Sequence, residues 1–127
     1  GTGAAEAALE TGKAWFLGVD SDQELTFSSD LAAITLTSGL KNIGNSLIWF
    51  FDEMDAGRTY FGQEVSLGLA EGGVGIVTDK NYATYASEET KAAMAAAQQS
   101  IIDGTVTVPS AIDDNDGAIA LRESVRP

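Results

Sequence analysis

The apolar positions change period several times along the chain, and each change marks an element. Residues 14–19 read Ala-Trp-Phe-Leu-Gly-Val, five apolar residues and one glycine without a break, the pattern of a strand covered on both faces in a parallel sheet. Ahead of it, residues 3–11 are rich in Ala, Glu and Leu, with Thr2 as the expected N-cap and Gly12 as the expected stop, so a helix is predicted there. A helix followed by a buried strand is half of a βαβ unit, whose other strand is expected before Gly1.

Residues 24–30 are polar except for Leu25 and Phe27 and read as a connection. In 31–38, Ile34 and Leu36 alternate with Thr35 and Thr37, which predicts a second strand. From Asn42 onward Ile43, Leu47, Phe50, Phe51 and Met54 share one face of a helix ending near Gly57. Val65, Leu67 and Leu69 alternate with polar or small residues and predict a third strand over 64–69. Gly72, Gly73 and Gly75 then require a sharp turn or a close approach of another backbone. Ile76 and Val77 are a short apolar run, and 78–86 reads as a loop containing tyrosines.

Ser87, followed by Glu88 and Glu89, is a helix start, since a capping hydroxyl precedes two acids in the electropositive first turn. That helix is expected to stop at Asp103 and Gly104, with Met94, Ala97 and Ile101 as a narrow stripe of mostly small residues. Val106 and Val108 alternate with Thr105 and Thr107. Asp113, Asp114, Asn115, Asp116 and Gly117 read as an acidic turn before a last short strand over 118–121. The sum is an α/β chain with no internal repeat and no linker.

Composition narrows the function classes. At 127 residues and 44% hydrophobic content the chain has enough apolar material for one core. A net charge of −12, from 19 acidic and 7 basic residues, disfavours nucleic acid, which is bound through clustered Lys and Arg. The absence of cysteine and histidine removes disulfides, thiolate metal sites and the commonest catalytic base. No apolar run reaches the roughly 18 residues of a membrane span, and no signal peptide is visible. The chain begins Gly1-Thr2-Gly3 rather than with methionine and reads as a piece of a longer protein.

The candidate chemistry lies at the end of the first predicted strand, where Asp20, Ser21, Asp22 and Gln23 follow Val19. In open α/β sheets that edge is where ligands bind. Three readings are open for the two aspartates. They suit a divalent cation or a phosphotransfer site, or one of them caps the following turn, or a carboxylate accepts hydrogen bonds from ligand hydroxyls. The phosphatases of the haloacid-dehalogenase type use Asp-x-Asp-x followed by Thr or Val, and Glu24 stands in that last position. Lys41, between the second strand and the helix from Asn42, is either a surface lysine or the partner of an aspartate on the same edge. Gly1 and Gly3 resemble a phosphate loop, but the fingerprint G-x-G-x-x-G fails at Glu6. They are expected to let an uncharged group approach the backbone.

The blocks 1–23 (GTGAAEAALETGKAWFLGVDSDQ), 36–44 (LTSGLKNIG), 67–77 (LGLAEGGVGIV) and 101–109 (IIDGTVTVP) resemble, in order and spacing, the carboxyl-terminal part of the basic membrane protein family of PnrA-like nucleoside-binding lipoproteins of ABC importers. The resemblance implies a doubly wound, mostly parallel sheet forming the second lobe of a type I periplasmic-binding-protein fold, with a nucleoside held in the cleft between lobes. It implies that Asp20 accepts hydrogen bonds from ribose hydroxyls, that Lys41 reaches the sugar, and that Gly1 and Gly3 lie against the nucleoside. Asp22 and Gln23 match the motif and mainly shape the turn, with Asp22 also a ligand-binding candidate. The implied partners are a nucleoside, an amino-terminal lobe carrying the aromatic stack, and an ABC permease, with no cofactor, metal or catalytic set and an extracytoplasmic, membrane-anchored parent. Type I chains cross between lobes near their end, so about 78–109 is expected to cross back toward the first lobe. Gly44 departs from the family, where many relatives carry Asp. Two rivals remain: a ligand-sensing domain of a transcription regulator with the same fold, and a metal-dependent phosphotransfer domain using Asp20 and Asp22.

Overall fold

The structure is a computed structural model and describes residues 1–112 and 114–126. Helix α1, Thr2–Thr11, starts at Gly1, one residue before the expected cap. It ends where Gly12 takes a left-handed conformation (φ 61°) and its N–H closes on the Leu9 carbonyl, a turn that costs glycine nothing. Strand β1, Phe16–Asp20, follows. After a single 3₁₀ turn, Gln23–Leu25, the chain forms a short helix α2, Ser29–Ala33, and strand β2, Thr35–Lys41.

Helix α2 corrects the expectation of a strand over 31–38. Ser28 stands at its N-cap and Asp30 in its first turn, a start signal, and Leu31-Ala32-Ala33 complete the helix. The alternation of Ile34 to Thr37 belongs to a strand that begins at Thr35 and runs through Gly39 to Lys41. Strand β1 pairs with β2 in parallel, and β2 pairs with strand β3, Val74–Ile76, in antiparallel, giving a three-stranded sheet of order β1-β2-β3. The α/β class and its parallel pair are present, and the third strand reverses.

Segment 64–69 is not that third strand. Alternating apolar residues describe a face, but a strand also needs a partner to pair with, and among the described residues it is β3, not 64–69, that pairs with β2. The segment instead leads into a turn, where the Gly68 N–H bonds Glu71 and the Gly73 N–H returns to the Gly68 carbonyl at 2.9 Å. A Cβ on Gly73 would stand 2.8 Å from the Leu67 carbonyl oxygen, so the close approach read from the glycines is made by the chain's own backbone.

Beyond β3 the expected loop over 78–86 contains helix α4, Lys80–Tyr85. It is fixed to the sheet by the buried Tyr82 and by the Asn81 amide, which donates to the carbonyls of Ala32 and Thr35, both at 2.9 Å. Helix α5, Glu88–Ile102, starts as expected, with Ser87 accepting from the Thr90 N–H. Val106 and Val108 lie in irregular chain. The last short strand over 118–121 is instead part of helix α6, Asn115–Ser124, because Asp114 accepts from the Gly117 N–H and caps a helix. Asp113 lies outside the described residues.

The core is small and partly polar. Ala5, Leu31, Val77 and Tyr82 are buried among the described residues, together with the hydroxyls of Thr35 and Ser38. Both hydroxyls are partnered, Thr35 donating to the Leu31 carbonyl and Ser38 accepting from the Gln23 N–H, as burial requires. Strand β1 does not have two covered faces. Gly18 is buried and Phe16 half-buried, while Leu17 and Val19 are 59% and 62% exposed, the period of two of a sheet packed on one side.

Helix α3, Ile43–Asp55, has the predicted apolar face, yet Ile43, Leu47 and Phe51 are exposed. It holds the returning chain through Trp49 against Tyr60 and Phe50 against Phe61, with ring centroids 5.0 and 6.0 Å apart. Arg58 and Tyr60 both donate to Glu53. These bonds, the Arg58 guanidinium first and the Tyr60 hydroxyl next, pull the Glu53 carboxyl down to about 2.

Candidate functional site

Because β1 and β2 are parallel, with Asp20 opposite Leu40, the ends of both strands meet at one edge and carry Asp20 and Lys41 there together. The Lys41 ammonium lies 2.8 Å from Asp20 Oδ1, with the two side chains 68% and 63% exposed. Asp20 raises the Lys41 pKa, through its hydrogen bond first and its charge second. A cavity of about 340 Å³ opens beside Lys41, lined by that residue and by Asn42, Ile43, Val65, Leu67 and Val74 among others. The segment first read as a strand therefore supplies two apolar walls next to the charged tips.

Asp20 itself has φ 73°, a left-handed conformation that costs a residue with a Cβ about 1 kcal/mol. The chain turns back there, so the following residues lie over the sheet rather than beyond its edge. Gln23 donates its N–H to Ser38 Oγ at 3.1 Å and sits against Gly18 and Gly1. A Cβ on Gly18 would collide with Ser38 Oγ and stand 2.8 Å from Gln23 Oε1, so glycine in the middle of β1 is what admits the returning loop.

Asp22 stands at the N-cap of the 3₁₀ turn that follows it, but its side chain makes no capping hydrogen bond. Its Oδ2 accepts from Lys80 Nζ at 2.7 Å, and the two side chains are 18% and 31% exposed. The same ammonium donates to Asp79 at 2.9 Å, and Asp22 followed by Asp79 raises the Lys80 pKa well above its usual value. Lys80 also has positive φ, 49°. Nothing local in the sequence identifies it, since the pair joins residues 58 apart and depends on the reversal of β3.

The expected site residues thus divide. Asp20 and Lys41 are brought together, Asp22 stands behind them against Lys80, and Gly1 touches the same loop through Gln23. Gly3 has open space around it. Each aspartate faces a lysine ammonium at hydrogen-bond distance, which is where a divalent cation would have to sit. No cluster of three or more carboxylates able to hold a metal is present among the described residues.

Comparison with known proteins gives two findings. Residues 1–111 match the family described as ABC transporter substrate-binding protein, PnrA-like. The chain is also 34% identical over 106 residues to the ABC transporter nucleoside-binding protein BmpA of Lactococcus lactis subsp. cremoris (strain MG1363). That alignment covers 80% of this chain and 29% of the relative, so the chain spans less than a third of the length of the protein it matches.

Proposed function

Since the chain belongs to the PnrA-like family of ABC transporter substrate-binding proteins, we propose that it is the carboxyl-terminal lobe of a nucleoside receptor and closes on its ligand against an amino-terminal lobe. The observation that carries this reading is the Asp20–Lys41 pair at the tips of two parallel strands, with an apolar-walled cavity on the Lys41 side. A carboxylate accepts from two vicinal hydroxyls and an ammonium donates to a ring or hydroxyl oxygen, which together suit a ribose. The pair is largely exposed, as a half-site must be before a second wall covers it, since small-molecule sites bury most of their ligand.

No step of bond making is assigned to these residues: the lobe binds and releases, and the permease moves the ligand. The parent protein works outside the cytoplasmic membrane, anchored to it. Among the described residues no helix is long and apolar enough to cross a membrane. Of the segment over about 78–109, helix α4 packs on this lobe's own sheet, and the part from helix α5 onward crosses back toward the first lobe. In helix α5, Met94 and Ile101 are half-buried and Ala97 is exposed, which leaves its small-residue stripe available for that contact.

Calorimetric titration of the receptor containing both lobes tests this. Inosine, adenosine or guanosine is expected to bind in a metal-free buffer, and Mg²⁺ or Mn²⁺ alone to give no saturable heat. Saturable metal binding lost in Asp20→Asn, with no nucleoside binding, would replace the receptor reading by the phosphotransfer one.

A further inference from the structure

The pair formed by Asp22 and Lys80 has no ligand role in the reading above, yet it is the better sheltered of the two. Lys80 does not hang from a free loop. The Val77 N–H bonds the Ser38 carbonyl at 3.0 Å, Thr37 Oγ1 donates to the Val77 carbonyl at 2.6 Å, and the Asn81 amide holds both ends of the α2–β2 connection. Lys80 is therefore pinned to the strand that ends in Lys41. Across from it, Asp22 Oδ1 is buried without a hydrogen-bond partner, so the ammonium on Oδ2 is the contact that keeps this carboxylate inside. A part-buried carboxylate deprived of its cation is costly and must turn toward water, taking the loop with it. Asp20 lies two residues upstream in a left-handed conformation that persists only while its surroundings enforce it.

Resting on the nucleoside reading, we propose that Lys80 is a positioning residue: by gripping Asp22 from β2 and α4 it holds the turn after β1 folded back, and so fixes Asp20 in the strained conformation that faces Lys41 and the ligand. The contacts close into a ring, from β2 through Lys41 to Asp20, along the loop to Asp22, and through Lys80 and Asn81 back to β2. A ring transmits a break at Lys80 to Asp20 although the two do not touch.

The test uses Lys80→Ala, Lys80→Arg, Asp22→Ala and the double variant Lys80→Ala/Asp22→Ala in the receptor containing both lobes. Amide exchange over residues 20–25 is measured without ligand, and inosine affinity separately. Lys80→Ala is expected to speed exchange at 20–25 severalfold while leaving the amides of β2 and β3 unchanged. It should also weaken inosine binding by about 3- to 10-fold, the effect of losing a part-sheltered charge-assisted hydrogen bond. Lys80→Arg should restore both, and Lys80→Ala should add nothing once Asp22 is Ala. Unchanged exchange at 20–25 in Lys80→Ala, or a full extra effect in the Asp22→Ala background, would overturn the proposal whatever the lobe binds. Loosened exchange in a receptor that binds no nucleoside would support the grip of Lys80 and overturn the nucleoside reading instead.

Discussion

Asp20 with Lys41 and Asp22 with Lys80 are the same chemistry at nearly the same distance, 2.8 and 2.7 Å, in two surroundings. The first pair stands at the strand tips in water; the second lies over the sheet, beside a loop floored by Gly18 and Ser38. An exposed ion pair is screened and contributes little to folding, so its placement is better explained by what it can hold. A sheltered pair with an oxygen left unpartnered cannot exchange its lysine for a ligand hydroxyl without loss. On the proposed reading, exposure separates the pair that binds from the pair that builds.

The sharpest way to break this division is to crowd the floor under Gln23, next to the sheltered Asp22. Gly18→Ala puts a methyl into Ser38 Oγ and should lower unfolding stability by about 1–3 kcal/mol, the scale of overpacking, read as a lower urea midpoint. An unchanged midpoint would mean that the loop does not pack where it is described. Asp22→Ala should come next, with a smaller but measurable fall in the midpoint. Asp20→Ala should move it less, since the partner it frees, Lys41, is already exposed, and what remains is the cost of Ala in a left-handed backbone. If Asp20→Ala destabilised the fold more than Asp22→Ala, the division would be reversed.

The smallest effects are expected with pH. Both lysines have raised pKa values in the fold, so what their pairs add is fully present below the ordinary lysine value of 10.5 and is lost only as pH rises through the raised folded values. Alkaline titration should therefore leave both charged through that value. In a separate cluster with Arg58 and Tyr60, the Glu53 carboxyl is depressed from 4.5 to about 2. Its contribution is present above 4.5 and disappears as pH falls toward 2, and Glu53→Gln should remove that acid dependence while leaving ligand binding untouched.

What the sequence revealed and what it hid follow from how far each signal reaches. The run ending at Val19 and the change to Asp20 are local, and parallel pairing then places Lys41 beside Asp20 because both close their strands. The cap at Ser87 and the stop at Gly12 are likewise local chemistry. The expected strand over 64–69 is absent because alternation describes a face and does not supply a pairing partner, and β3 is the strand that pairs with β2. Helix α6 was hidden because Asp114 reads equally as turn or cap until its side chain is seen to accept from the Gly117 N–H. Lys80 was invisible since its partner lies 58 residues away across a strand reversal. The bare faces of β1 and α3 were also unreadable, because an apolar stripe predicts burial without saying what covers it.

The central claim, that Asp20 holds ligand hydroxyls, is tested most directly by titrating the receptor containing both lobes with inosine and with 2′,3′-dideoxyinosine, in the native form and as Asp20→Ala. The account predicts that native protein prefers inosine and that Asp20→Ala weakens inosine by about 10- to 150-fold, the scale of a hydrogen bond to a charged group. The dideoxy analogue should hardly notice the change, so the preference collapses. Equal weakening of both ligands, or an inosine affinity unmoved by Asp20→Ala, would contradict it.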